Sequence, residues 1–248
     1  VISTPVVQFS LQQHVASYDE WIEAFIEAVR KRASHGAQEN AVFLSSGYDS
    51  GAICLALNLL GIRYRTLTIR SGESATVLDA RLHLNATAGN RSPLIYEGLT
   101  KQQIEVISDE IARFVEPFEY QHFDSPGVVS SPSTDGGAIG AYFLGREARR
   151  HNLLVNLSGS GADEIISDYG HAGTRFYYHS EFGGLFPQEL EGFFPWKKFY
   201  GDTQRSYLLK DEYVLGRFGL EGRYPFLDRD VVQSFLALTP ELKNREYK

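Results

Sequence analysis

Two short segments of this 248-residue chain combine small hydroxyl-bearing residues and glycine with acids. The first is Leu44-Ser45-Ser46-Gly47-Tyr48-Asp49-Ser50. The second is Ser158-Gly159-Ser160-Gly161-Ala162-Asp163-Glu164. Backbone N–H groups and serine hydroxyls at the start of a helix bind anions, and small residues let the backbone approach phosphate oxygens closely. An aspartate in such a cradle repels phosphate unless it holds Mg²⁺ that bridges to it. Asp49 and Asp163 therefore read as partners at one metal–phosphate cluster, provided that the strands before them are near neighbours. Taken singly, each segment also reads as a capped turn, and Asp163-Glu164 as compensation of a helix macrodipole. The first segment lacks the Gly-Lys-Ser/Thr end of a Walker loop, and the second lacks the third glycine of a dinucleotide fingerprint.

Such loops need a strand ahead and a helix behind. Helical spacing covers 19–31 (Trp21, Ile22, Phe25, Ile26, Val29), 51–60, 73–87, 100–115 with Thr100 as N-cap, and 138–150. Strand patterns cover 41–44, 64–69, 93–96 and 153–157. Residues 124–137, rich in Asp, Ser, Pro and Gly, read as a loop. From about 189 the pattern turns helical, at 188–200, 203–217 and 228–238. Alternating strands and helices predict an α/β fold with a doubly wound, mostly parallel sheet and helices on both faces. Ligands of such sheets bind beyond the strand C-terminal ends, where both loops fall. The chain divides into a helical lead-in (1–40), an α/β core (41–170) and a C-terminal helical lobe (171–248). The aromatic stretch 176–200, with Phe176, Tyr177, Tyr178, Phe193, Phe194 and Trp196, reads as packing between the lobes.

Composition narrows the function classes. A 43% hydrophobic, 22% charged chain is ordinary for a globular protein and long enough for a sizeable core. The net charge of −7 argues against a nucleic-acid partner, and the one basic cluster, Arg30-Lys31-Arg32, reads as a helix C-terminus. No apolar run reaches the roughly 20 residues of a membrane span. One cysteine, Cys54, excludes an internal disulfide, reads as a buried small residue, and points to a cytoplasmic setting. The seven histidines, at 14, 35, 83, 122, 151, 171 and 179, have no zinc-ligand spacing. Val1 at the start and the absence of Met read as a processed or partial chain.

The two loops resemble known motifs. Residues 44–50 resemble the Ser-Gly-Gly-x-Asp-Ser pyrophosphate loop of the ATP-pyrophosphatases, whose fold is also called adenine nucleotide alpha hydrolase-like. Residues 157–169 resemble the Ser-Gly-Glu-Gly-Ala-Asp-Glu segment of asparagine synthetases. Gly219-Leu220-Glu221-Gly222-Arg223-Tyr224-Pro225-Phe226-Leu227-Asp228 is similar to that family's Glu-x-Arg-x-Pro-Phe-Leu-Asp signature. The resemblance covers roughly 17–248 and implies ATP and Mg²⁺ as cofactors. By it, Leu44, Ser45, Ser46, Gly47, Asp49, Ser50, Ser158 and Gly159 hold nucleotide, and Ile69 touches adenine or ribose. Asp49 and Asp163 ligate the metal, Ser160 and Glu164 occupy catalytic positions, and Arg223 and Asp228 shape the substrate side or brace the helical lobe. The implied reaction is adenylation of a carboxylate and its capture by an amine, as in asparagine formation from aspartate.

The chain departs from the family pattern at three places. Ser46 replaces a glycine. Ser160 stands where the family places a glutamate that assists the amine, which opens the reading to other amines, as in lactam- and peptide-amide-forming relatives. The family's pyrophosphate lysine falls after the Pro-Phe-Leu-Asp segment, beyond this chain's reach; Lys243 and Lys248 read as surface lysines. The family's glutamine-hydrolysing cysteine is also absent here, so ammonia would come from a separate glutaminase subunit, a missing segment or solution. Two other readings stand beside this one: a synthetase-like module that binds nucleotide or a partner without turnover, and a tRNA-modifying relative, disfavoured by the acidic charge. A homo-oligomer is left open.

Overall fold

The computed structural model describes residues 8–33, 39–121 and 125–245; His35, His122, Asp124 and Lys248 lie outside them. The first helix, α1 (Asp19–Arg32), carries acids in its first turn and Arg30, Lys31 and Arg32 in its last, as the macrodipole favours. It buries Phe25, Ala28 and Val29, whereas Ile22, expected on the buried stripe, faces solvent. There follow β1 (Asn40–Phe43), α2 (Tyr48–Leu59), β2 (Tyr64–Arg70), α3 (Ala75–Thr87), β3 (Leu94–Glu97) and α4 (Lys101–Phe114). Thr100 caps α4 with a reciprocal pair: its hydroxyl accepts from Gln103 N at 3.3 Å, and its N–H donates to Gln103 Oε1 at 2.8 Å. Thr100→Ala should cost about 1 kcal/mol in a denaturant melt, with no effect on ligand binding.

The segment read as a loop holds part of a short antiparallel ribbon, β4 (Tyr120–Gln121) against β5 (Val129–Ser130). Beyond it come α5 (Gly136–Arg150) and β6 (Val155–Leu157), then a single turn of π-helix at Asp163–Ser167. A small ribbon of β7 (Gly170–His171) and β8 (Thr174–Arg175) precedes α6 (Lys197–Tyr200), α7 (Asp202–Gly216) and β9 (Glu221–Arg223). A 3₁₀ turn at Pro225–Leu227 leads to α8 (Arg229–Ala237) and α9 (Pro240–Lys243). Two expectations for the C-terminal part are corrected. The helix expected over 188–200 exists only at its last four residues, because Pro195 would clash with the preceding turn and lacks the N–H that a helix interior needs. The part expected to be purely helical also sends a strand, β9, into the main sheet.

The main sheet is five-stranded and all parallel, in the order β3-β2-β1-β6-β9. From β1 the chain winds outward to β2 and β3, then returns to the other side of β1 for β6 and β9. The winding direction thus reverses between β1 and β6, and a crevice opens there at the strand C-terminal ends. Alternate residues along β1 serve opposite faces. Val42 and Leu44 join α1, α2 and α8 in one core, with Ile53, Leu57 and Val231. Ala41 joins α4, α5 and α7 in another, with Ile107, Tyr142 and Leu215. A third, aromatic core packs Phe186, Trp196, Phe199 and Phe235, with Phe193 and Phe194 beside it. Phe176, Tyr177 and Tyr178 remain exposed. Cys54 is buried, as expected. Among the described residues no helix is long and apolar enough to cross a membrane.

Candidate active site

Both acidic loops leave the sheet at the switch point. The loop after β1 runs into α2 through Gly47, whose extended backbone caps the helix, and puts Asp49 in the first helical turn. Ser50 is buried beneath it and accepts from Ser45 N at 3.1 Å. The loop after β6 crosses directly over α2's start. A methyl group on Gly159 would lie 2.6 Å from Asp49 Cβ, so the two loops touch at a point where only glycine fits. Gly161 has φ +97° and packs against Leu227, again leaving no room for a side chain.

Two adjoining cavities open at this contact. One, of about 240 Å³, is lined by Ser45, Gly47, Asp49, Ser50, Ser158, Gly159 and Ser160. The other, of about 310 Å³, is lined by Asp49, Gly159, Ser160, Asp163, Glu164 and Tyr169 among others. Asp49 and Asp163, 114 positions apart in the chain, thus face one cleft. Burial pushes the Asp49 carboxyl up to about 7; the Asp163 and Glu164 charges add to this, and Arg81 opposes it. Burial likewise raises Glu164 to about 7, although it accepts hydrogen bonds from the Tyr169 hydroxyl and from Gly161 N. Trp196 Nε1 donates to the Glu164 carbonyl at 2.7 Å and fixes the π-helical turn that carries both acids.

Crowded carboxylates of this kind suit a hard divalent cation. Mg²⁺ binds through one or two carboxylates plus substrate phosphates. Among the described residues no group of three or more metal-ligating side chains forms a cage of protein ligands alone. The pair Asp49 and Asp163, strained by mutual repulsion in a cleft rimmed by N–H groups and hydroxyls, has the donor chemistry for a magnesium–nucleotide complex.

Not every expected residue reaches the cleft. Leu44 is buried, its carbonyl accepting from Thr68 Oγ1 at 2.9 Å. Ile69 is half-buried, packs near Gly140, and lines neither cavity. Ser46 turns aside, its N–H donating to Glu73 and its hydroxyl accepting from Ser74 N at 3.1 Å. Arg223 donates to Glu221 at 2.9 and 3.0 Å and to the Arg32 carbonyl at 2.6 Å. Asp228 accepts from Arg32 at 2.6 Å and caps α8 through Asp230 N at 2.9 Å. The two line a separate, more open cleft of about 540 Å³, and their bonds tie α1 to β9 and α8. Lys243, read as a surface lysine, is instead half-buried: its ammonium donates to Gln13 and to the Leu236 carbonyl, near the Phe186 and Phe235 rings. Its long alkyl stem is what lets it enter that aromatic core.

Four side chains in or beside the site have no signal in the sequence: Lys210 and Asp211 line it, and Arg81 and Glu73 hold the backbone of its first loop. Arg81 of α3 donates to the carbonyls of Ser45, at 2.7 Å, and Gly47. Lys210 of α7 lies 3.5 Å from both Asp135 oxygens and 4.6 Å from the Tyr207 ring centre, at the edge of the second cavity. Asp211 borders both cavities. Glu73 holds the Ser46 N–H, a place where a carboxylate competes with phosphate. Glu73→Gln should therefore tighten ATP binding about 3- to 10-fold in calorimetry, by removing a like charge from the loop.

The family model described as asparagine synthase matches residues 20–214, most of the chain and both loops. This chain belongs to the asparagine synthase family. It is 25% identical over 238 residues to a probable glutamine-hydrolysing asparagine synthetase of Schizosaccharomyces pombe, covering 89% of this chain and 38% of that protein. It is 24% identical over 235 residues to the glutamine-hydrolysing asparagine synthetase of Cricetulus griseus, covering 88% of this chain and 36% of that one. Over 109 residues it is 30% identical to asparagine synthetase 1 of Arabidopsis thaliana, 41% of this chain and 16% of the relative. The chain thus spans well under half the length of these relatives.

Proposed function

We propose that this family member is the ATP-using domain of an amide-forming synthetase. A carboxylate oxygen of the substrate attacks the α-phosphorus of ATP, the bond to pyrophosphate breaks, and an acyl-adenylate forms. An amine nitrogen then bonds to the acyl carbon, the carbon–oxygen bond to AMP breaks, and the nitrogen gives up a proton. The observation that carries this reading is the contact of Gly159 on Asp49, which sets two Ser/Gly loops and two aspartates around one cleft at the switch point.

Ser45, Gly47, Ser50, Ser158 and Gly159 would receive the nucleotide, with the N-terminus of α2 and the guanidinium of Arg81 offering positive potential to its phosphates. Asp49 and Asp163 would hold Mg²⁺, which when bound neutralises charge on the leaving pyrophosphate. Lys210 offers a cation at the second cavity, which would take the acid. Ammonia from a separate glutaminase subunit or another segment of a longer protein is the nearest amine donor by family analogy, and aspartate the nearest acid. ATP–pyrophosphate exchange, run with a panel of carboxylic acids including aspartate, tests the reading. Exchange that needs a particular acid is expected; its absence with every acid would favour the second reading, a nucleotide-binding module without turnover, which the serine at position 160 suggests.

A further inference from the structure

Capture of an acyl-adenylate by an amine releases a proton from nitrogen, and a nearby acceptor speeds this step by about 10²- to 10⁴-fold. Position 160, where the two cavities meet, offers only a hydroxyl, a poor acceptor near neutral pH. The structure brings a carboxylate to that hydroxyl from another element. Asp211 Oδ2, on α7, accepts from Ser160 Oγ at 2.8 Å and from Ser158 Oγ at 2.9 Å. The two hydroxyls are 3.0 Å apart, and Ser160 N donates to Ser158 Oγ at 3.2 Å, so the serines form one clamp on a single carboxylate oxygen.

Four carboxylates face the cleft: Asp49, Asp163, Glu164 and Asp211. The first two have the donor chemistry and mutual repulsion that suit a cation. Glu164 is 2% exposed, and both its oxygens are engaged, one by the Tyr169 hydroxyl and the other by Gly161 N. Asp211 is half-buried and borders both cavities, and among the described residues its second oxygen, Oδ1, has no hydrogen-bond partner. The clamp fixes Oδ2 and leaves Oδ1 unbonded on a residue that borders both cavities. Burial raises the Asp211 carboxyl above the usual range, with the serine hydroxyls and Lys210 pulling it back.

We propose that Asp211 is a catalytic residue of the amide-forming step: its carboxylate takes the proton from the amine nitrogen as that nitrogen bonds to the acyl carbon and AMP leaves with the electron pair of the broken carbon–oxygen bond. Solvent then carries the proton away. Ser158 and Ser160 are positioning residues that orient the acceptor. The assignment rests on the adenylating function proposed above.

The test measures two rates on the full chain, using an acid that supports exchange: ATP–pyrophosphate exchange, and amide formation with ammonium chloride as the amine. Asp211→Asn, compared with wild type at one pH and one ammonium concentration so that free ammonia is equal, should lower the ratio of amide formation to exchange by about 10²-fold. A ratio within about threefold of wild type overturns the assignment. So does a wild type that exchanges yet forms no amide, because an intact acceptor should let free ammonia react. Ser160→Glu, added to Asp211→Asn, returns a carboxylate to within reach of the same junction and should bring the ratio back to within about tenfold of wild type. Exchange without that recovery contradicts the assignment, and the double variant keeps the test valid should the single one fold poorly. Absence of exchange in the wild type instead overturns the adenylating function, and the assignment with it.

Discussion

Replacing Asp49 with Asn should lower carboxylate-dependent exchange by about 10³-fold and yet stabilise the ligand-free chain at pH 8 by about 1–2 kcal/mol. The loss follows from the proposed role, since an amide is a weak ligand for Mg²⁺ and brings no charge to the metal. The gain follows from electrostatics. The Asp49 carboxyl is raised from 3.8 to about 7 by burial and by Asp163 and Glu164. Between those two values the folded chain binds a proton that the unfolded chain has lost, so stability falls as pH rises from about 4 to 7 and stays reduced above. Asn cannot ionise and escapes that loss. The expected stabilisation is well below the full shift because the cleft is open to water, and for a chain of this size it corresponds to a melting temperature higher by roughly 2–8 °C. At pH 5, where the wild-type carboxyl is mostly protonated, the difference should shrink. A variant less stable than wild type at pH 8 would show that Asp49 is held by favourable contacts and not strained by its neighbours.

Gly159→Ala is expected to lower exchange by about 10²-fold and to cost about 1–3 kcal/mol of stability. The added methyl would fall 2.6 Å from Asp49 Cβ and 3.5 Å from both Asp49 C and Ser50 N, so the clash involves the loop that carries Asp49 and its backbone. The two loops must separate, and displacement of reacting groups by as little as 1 Å costs rate on this scale. The left-handed backbone region is not involved, since Gly159 has no positive φ; the effect is one of space alone. Gly136→Ala is the matched control, because a methyl there meets nothing within 4 Å. Exchange at wild-type rate in Gly159→Ala would mean that the loops do not act together.

The sheet was legible where burial leaves a pattern. The apolar runs at 41–44 and 153–157 end in Ser/Gly turns, and those turns mark the two loops that meet at the switch point. Strand β9 was not legible, because Glu-Gly-Arg has neither alternation nor β-branched residues and pairs only because β6 leaves an edge beside it. The helix expected over 188–200 failed at Pro195, whose effect outweighs the aromatic spacing around it. Within the site, the loop residues could be read because glycine, serine and aspartate at a strand end are a local signal. Arg81, Lys210 and Asp211 could not: each sits on a helix as an ordinary polar residue and gains its role from a contact with a loop 30 or more positions away. Arg223 and Asp228 show the converse, for their motif is plain in the chain while their bonds knit α1, β9 and α8 together.

The proposed function requires Asp49 and Asp163 to share one metal–nucleotide complex. The most direct measurement is calorimetric ATP affinity in excess Mg²⁺ for wild type, Asp49→Asn, Asp163→Asn and the double variant. Two ligands of one ion are not independent, so the double variant should lose little more than the weaker single, with a coupling energy of at least about 1 kcal/mol. Losses that simply add, or no loss in either single variant, would contradict a shared site.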